Sequence, residues 1–288
     1  MTTVQDGLRG LIEFLQSERE DPRSEVVVEH SAREARLLLA RAMCVPAERL
    51  TLLAYDQLDE TMLENAYSYA LRRRRGEPVS HIVGARAFYG RDFLVDKRVL
   101  DPRPETETLI AAALATPFAD VLDLGTGSGA IIVTLLCERP NAVGTAMDVS
   151  ADALMVAEQN ATTHGVVDRI GFDVSDWFQA VGGQFDLIVS NPPYIAADEM
   201  GDLQHEVQQY EPRIALTDEA DGLTAYRKIT AGAPKHLNAG GRLIVEIGPT
   251  QGGEVAKMFG AAGFADIQVI PDLDGRDRIV AGRHTGAP

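Results

Sequence analysis

Apolar residues recur at helical spacing through the first quarter of the chain, then give way to short apolar runs separated by glycines. Residues 1 to about 76 read as helical. Ser31-Ala-Arg-Glu34 matches a capping box and predicts a helix start, and Ala35, Leu38, Leu39 and Ala42 follow at steps of three and four. A second helix is predicted from about Thr61 to Arg75, with Gly76 as its left-handed cap and Pro78 just beyond. Arg72, Arg73, Arg74 and Arg75 fall in its last turn, where cations complement the helix dipole. This predicts a solvated helix end, with a contact for an acidic patch on a partner as the alternative. His81-Ile-Val-Gly84, Ala87-Phe-Tyr-Gly90 and Asp92-Phe-Leu-Val-Asp96 are short and β-prone, and predict a β-hairpin connector over residues 77–101.

From Pro102 onward, apolar strands alternate with helical stretches. Strands are predicted at 120–124, 143–148, 168–173, 185–190, 241–247, 266–270 and 277–282. Seven strands with helices between most of them define an α/β class, a doubly wound, Rossmann-like sheet over residues 102–288. The bulk numbers agree: 288 residues, 45% of them hydrophobic and 24% charged, are enough to bury a sizeable core. No run approaches the length of a membrane-spanning helix, and the N-terminus lacks the pattern of a secretory signal. A cytoplasmic protein is expected, with Cys44 and Cys137 as buried free thiols. The six histidines form no cluster with cysteines, so no metal site is expected. A net charge of −16 opposes a polyanionic partner at long range.

Candidate chemistry lies at strand ends. Val121-Leu-Asp-Leu124 runs into Gly125-Thr-Gly127-Ser-Gly129, a turn that permits close approach of a ligand to the backbone. It lacks the Gly-Lys-Ser/Thr of a phosphate loop and is not the G-x-G-x-x-G of dinucleotide binders. Asp123, just before it, suits the cationic end of S-adenosylmethionine, which has no phosphate. Asp148, at the tip of the second strand, is placed to accept hydrogen bonds from a ribose diol, or else to cap the next helix, a position for which Ser150 also competes. Asp176-Trp177 follows the third strand. The acid can pair with an adenine amino group and the indole can pack on its ring, unless the tryptophan is simply core.

The fourth strand, Phe185–Ser190, leads into Asn191-Pro192-Pro193-Tyr194. Two prolines remove two N–H donors, so the backbone there offers only carbonyl acceptors, and the Asn191 side chain adds another. Such a set of acceptors suits a planar –NH₂ group, against which the Tyr194 ring can lie. An amide or nucleobase nitrogen is a poor nucleophile because its lone pair is delocalised. Acceptors that hold its protons and orient it supply positioning and electrostatics, with no strong base needed. An ordinary proline turn is the structural alternative.

The sequence resembles the bacterial release-factor glutamine methyltransferases of the HemK/PrmC type over nearly its whole length. The anchoring segments are Arg74-Arg-Gly-Glu-Pro-Val-Ser-His-Ile-Val-Gly84, Phe88-Tyr-Gly90, Pro102-Arg-Pro-Glu-Thr-Glu107, Asp123–Gly129, Asp176-Trp-Phe178, Asn191-Pro-Pro-Tyr-Ile195 and Glu211-Pro212. Asp221-Gly-Leu223, Tyr226-Arg227 and Gly275-Arg-Asp-Arg278 also fit. Asn-Pro-Pro-Tyr is shared with adenine-N6 methyltransferases, whereas Arg-Pro-Glu-Thr-Glu beside Phe-Tyr-Gly is not. The resemblance implies a helical substrate-docking domain (1–76), a hairpin linker (77–101) and a seven-stranded class I methyltransferase domain (102–288). It implies S-adenosyl-L-methionine as cofactor, leaving S-adenosyl-L-homocysteine. The cofactor residues would be Asp123, Leu124, Gly125, Thr126, Gly127, Gly129, Asp148, Asp176, Trp177 and Asn191. Asn191, Pro192, Pro193 and Tyr194 would hold the glutamine of the Gly-Gly-Gln loop in class 1 peptide chain release factors. Methylation of a ribosomal-protein glutamine, methylation of a nucleic-acid adenine, and a non-catalytic binding role are the competing readings.

Overall fold

A computed structural model describes residues 2–17 and 30–286. The chain forms two compact units, one made of Met1–Ala85 with Asp202–Tyr210, the other of Arg86–Gly201 with Glu211–Pro288. Among the described residues no helix is long and apolar enough to cross a membrane.

The helical unit begins with α1 (Val4–Gln16), started by a capping box in which Thr3 and Asp6 satisfy each other's backbone N–H groups. α2 (Ser31–Ala42) and α3 (Glu60–Arg74) follow, and α3 is capped by the Asp59 side chain on the Thr61 N–H at 2.8 Å. Leu11 and Leu15 of α1, Leu38 and Leu39 of α2, and Ala66 and Ala70 of α3 meet in one core. The capping box expected at Ser31 and Glu34 does not form. Ser31 already lies inside the helix behind His30, and its hydroxyl is buried. Glu34 instead receives two hydrogen bonds from Arg73, both 3.0 Å, a long-range pairing that outcompetes the local one.

The arginine run also departs from the solvated helix end. Arg73 is 5% exposed and additionally donates to Glu206 at 2.6 Å. Arg72 pairs with Glu77, and the Arg74 guanidinium lies 4.7 Å from the centre of the Phe14 ring. Gly76 takes the left-handed conformation expected of it, with φ 93°. The stretch at His81, read as β-prone, is a short helix, α4 (Val79–Val83). Pro78 fixes its entry and Gly84, in the left-handed region, ends it, so the β-branched residues between them close one helical turn.

The second unit opens with a two-strand hairpin, β1 (Arg86–Phe88) and β2 (Arg91–Phe93). Its two-residue turn is Tyr89-Gly90, both at positive φ, as the right-handed twist of a tight hairpin requires. After α5 (Glu107–Leu114) the chain alternates β3 (Asp120–Leu124), α6 (Ala130–Glu138), β4 (Val143–Asp148), α7 (Ala151–Thr163), β5 (Ile170–Val174) and β6 (Phe185–Ser190). A short helix, α8 (His205–Tyr210), carries Glu206 and belongs to the helical unit. Then come α9 (Thr224–Gly232), β7 (Leu237–Glu246), α10 (Gly252–Ala261), β8 (Phe264–Pro271) and β9 (Asp277–His284).

The seven strands run in the order β5-β4-β3-β6-β7-β9-β8. β9 alone is reversed, antiparallel to both β7 and β8. This is the seven-stranded α/β sheet expected from the alternation of strands and helices. Consecutive residues of the central strands enter opposite cores, as the period of two requires. Val121, Leu187, Val189 and Ile244 face α5 and α6, while Leu122, Ile188, Leu243 and Val245 face α9 and α10. Burial on both faces explains the unbroken apolar runs. The chain builds outward from β3 to β4 and β5, then returns to β6 on the other side. The C-terminal ends of β3 and β6 therefore flank the switch point of the sheet, where open α/β folds place ligands. The two cysteines are free, Cys44 exposed and Cys137 partly so, rather than buried as expected.

Candidate active site

A cavity of about 560 Å³ opens at this switch point. Gly125, Thr126, Gly127, Asp148, Asp176, Trp177, Asn191 and Pro193 reach its wall. Asp123, Leu124, Gly129, Pro192 and Tyr194 do not; they lie behind that wall and shape it.

The glycine turn is tied to the neighbouring strand. The N–H groups of Gly125 and Thr126 both donate to the Met147 carbonyl, at 2.8 and 3.0 Å, and that of Gly127 to Asp148 at 2.9 Å. A Cβ on Gly125 or Gly127 would project into open space, and both residues have positive φ, so glycine is required by the backbone and leaves room in front of it. Gly129, with φ 77°, starts α6, and a Cβ there would come within 3.0 Å of Ala157. Asn160 of α7 fixes the turn from behind by donating to the Ser128 carbonyl at 2.8 Å.

Two carboxyl groups sit at this end. Asp123 is fully buried, accepts from the Thr126 hydroxyl at 2.7 Å, and has a second oxygen, Oδ1, with no partner. Burial, with the nearby Asp148 charge, pushes its pKa up to about 7. Asp148 is raised by burial too, against the N–H groups of Ser150 and Gly127 that favour its ionised form. The helix cap there comes from Ser150, whose side chain accepts from the Ala153 N–H. A cation placed beside these groups would favour ionisation of both.

The Asp176 carboxylate pairs with Lys228 at 3.2 Å, and both side chains are about half exposed. Trp177 has φ 55°, a conformation rare for a bulky residue, and is held there by Ser175, whose hydroxyl donates to the Trp177 carbonyl at 2.8 Å. The indole is partly buried against the core beneath α9, so packing and cavity lining coexist.

At the end of β6, the Asn191 Nδ2 lies 3.4 Å from the Thr106 hydroxyl. Tyr194 packs against the core, and burial pushes its phenol up to about 12. Its carbonyl is occupied, accepting from Gln251 at 2.9 Å. Gln251 also donates to the Gly222 carbonyl and accepts from the Gly248 N–H, so one side chain staples three loops. A Cβ on Gly222 would lie 2.4 Å from the Tyr194 carbonyl, which makes glycine obligatory there. Gln251 was not anticipated from the sequence; the Asp221-Gly222-Leu223 segment was the available sign.

Segments far apart in the chain meet around this site. Tyr89 of the Phe-Tyr-Gly turn donates to Glu107 at 2.9 Å, and Arg103 grips both oxygens of the buried Glu211 at 2.6 and 2.7 Å. Arg103, Thr106 and Pro212 all line the cavity.

Comparisons with known proteins identify the family and the fold. The Methyltransferase small domain family matches residues 102–209, and the PrmC N-terminal domain family matches residues 24–84. A release factor glutamine methyltransferase of Cereibacter sphaeroides is 54% identical over 256 residues, 89% of this chain and 92% of that one. Another, from Neisseria gonorrhoeae, is 42% identical over 258 residues, 87% of this chain and 93% of that one. Among solved structures, a methyltransferase from Pyrococcus furiosus superposes with a TM-score of 0.53 at 18% identity, covering 78% of this chain and all of that one, which shows the shared fold.

Proposed function

The chain belongs to the family of release factor glutamine methyltransferases, and on that premise we propose that it methylates the side-chain amide nitrogen (N5) of the glutamine in the Gly-Gly-Gln loop of class 1 peptide chain release factors. S-adenosyl-L-methionine supplies the methyl group as an electrophile and leaves as S-adenosyl-L-homocysteine.

The residues present fit that cofactor. Gly125 and Gly127 leave open space where a side chain would stand. Asp123 keeps a buried oxygen without a partner, as a site awaiting a positive neighbour would. Each Asp148 oxygen accepts one N–H and, having two lone pairs, retains capacity for a ribose hydroxyl. Asp176 and Trp177 would take the adenine, with Lys228 giving up its hold on Asp176 or sharing it.

The observation that carries the reading is the turn after β6, whose two prolines present carbonyls without N–H donors. Asn191 and the carbonyls of the proline turn hold the two amide protons of the substrate, orient the nitrogen, and favour the charge that develops on those protons. Bound S-adenosylmethionine would supply the electrophilic methyl carbon, and the nitrogen oriented by Asn191 and these carbonyls would take it and release its surplus proton to water. The helical unit would dock the remainder of the factor; Leu52 and Tyr55, 81% and 83% exposed, offer apolar surface for a protein partner. Binding energy remote from the reacting amide would then raise the rate with intact substrate.

The test is incubation of the purified protein with labelled S-adenosylmethionine and purified release factors, followed by peptide mass mapping. One methyl group on the Gly-Gly-Gln glutamine is expected, with a short Gly-Gly-Gln peptide a much poorer substrate. Label on a ribosomal-protein glutamine or a nucleic-acid adenine in place of the release factor would overturn the proposal.

A further inference from the structure

Glu246 ends β7, and the reading above gives it no part. In the β6–β7 register Ser190 pairs with Val245, so Asn191 and Glu246 leave adjacent strands side by side, and Asn191 reaches the cavity wall. Glu246 is 1% exposed, and its Oε2 is buried with no hydrogen-bond partner. The Thr106 hydroxyl is near enough to act on this carboxylate and favours its ionised form. Thr106 is itself buried, lines the cavity, and is the residue whose oxygen faces the Asn191 amide at 3.4 Å. The three side chains thus form a short file from the sheet interior to the candidate acceptor. A contact of that length is one that tightens when substrate arrives.

A hydroxyl has one proton to donate and lone pairs with which to accept, whereas an ionised carboxylate can only accept. A Thr106 hydroxyl that gives its proton to Glu246 can meet Asn191 only as an acceptor, the sense in which the Asn191 Nδ2 faces it. The amide is then obliged to turn its NH₂ toward Thr106 and its oxygen the other way. The two ends of an asparagine amide are nearly the same shape, so packing alone does not choose between them. We propose that Glu246, acting through Thr106, is a positioning residue that fixes the Asn191 amide with its oxygen toward the substrate nitrogen. The inference rests on Asn191 being an acceptor for the substrate, as proposed above.

The file has a polarity that a proton reverses. A protonated Glu246 can donate to Thr106, whose own proton is then free for the Asn191 oxygen, and the flipped amide presents donors to a substrate that also presents donors. Burial pushes Glu246 up to about 7. Arg278 of β9 and Arg103 favour its ionised form, Glu105 opposes it, and the neighbouring phenols of Tyr194 and Tyr226 are both raised and stay neutral. The rate of methyl transfer is therefore expected to fall as pH drops through about 7.

Single-turnover methyl transfer to an intact release factor tests this, at saturating cofactor so that titration of Asp123 does not enter. Thr106→Val and Glu246→Gln are each expected to slow the step about tenfold to a hundredfold, less than loss of the amide itself, with cofactor affinity unchanged by calorimetry. Thr106→Ser keeps the hydroxyl and should recover most of the rate. The fall toward acid should be present in the unsubstituted protein and absent from Glu246→Gln. The inference is overturned if Thr106→Val turns over at the unsubstituted rate, if Thr106→Ser is as slow as Thr106→Val, or if the acid limb survives in Glu246→Gln. Asn191→Ala serves as the reference. If it retains full rate, the reading of Asn191 falls and this one with it; if it is slow while Thr106→Val and Glu246→Gln are not, this one falls alone.

Discussion

The chain leaves β3 through Gly125–Gly129 and leaves β6, the next strand in the sheet, through Asn191–Tyr194. These two turns occupy equivalent places and dispose of their backbone donors in opposite ways. The glycine turn keeps its N–H groups and gives those of Gly125, Thr126 and Gly127 to the tip of β4. The proline turn has no N–H at Pro192 and Pro193. Beneath the turns the contrast repeats: the register sets the carboxyl of Asp123 against Val189. One side of the switch point is thus a bare backbone surface backed by carboxyl groups, suited to a ligand with a cationic end. The other lacks backbone N–H groups at Pro192 and Pro193, which under the proposed function leaves carbonyls for a primary amide. Strand order brings the two within one cavity.

Substituting at each turn shows whether that division of labour holds. The largest effect is expected at Asn191. Asn191→Ala should slow single-turnover methyl transfer by about 10²–10³, with cofactor affinity nearly unchanged. A matching loss of cofactor affinity would mean that the two sides are not separable. Next is Asp148→Ala, which should weaken S-adenosylmethionine binding by about 1–3 kcal/mol in calorimetry on the free protein, the loss expected for a charged hydrogen bond. An unchanged affinity would remove Asp148 from the ribose.

The smallest effect concerns stability. The carboxyl of Asp123 is raised from 3.8 to about 7 in the folded protein. Its contribution to stability is therefore fully present below about pH 4 and is lost as pH rises through about 7. Asp123→Asn should raise the melting temperature of the cofactor-free protein at pH 8 relative to its effect at pH 5. The difference should be a few degrees, since about 1 kcal/mol moves Tm by roughly 2–4 °C at this size. An equal change at both pH values would show that no charge is held under the glycine turn.

How much of this could be read from sequence depended on how local the cause was. β3 and β6 lie in the middle of the sheet, buried on both faces, and their apolar runs marked their ends to the residue. β5 is an edge strand with a largely exposed pattern, and its start lies at Ile170 rather than 168, behind a 3-10 turn at Val167–Arg169. β7 begins at Leu237, four residues before the expected start, because Asn238-Ala-Gly-Gly241 continues the strand without a β-branched or large apolar side chain to mark it. Two further errors had non-local causes. Glu34 matched a capping box, but its partner, Arg73, is 39 residues away. Thr106 and Glu246 carry no mutual signal in the sequence, because only the β6–β7 register and the turn before α5 bring them near each other. A charged residue closing the apolar run Leu243-Ile-Val-Glu246 was the trace they left.

The ion pair between Arg73 and Glu206 has a consequence for the order in which the protein is made. The two residues are 133 positions apart, and Glu206 lies on a segment, Asp202–Tyr210, that belongs with the N-terminal helices. A ribosome adding about 5–20 residues per second needs roughly 7 to 27 seconds to pass from one to the other. Throughout that interval the Glu34 carboxylate is available to Arg73 and the second one is not, while the strands from β3 to β6 emerge. These helices therefore precede the sheet in synthesis, but their unit is complete only after the strands from β3 to β6 have been made.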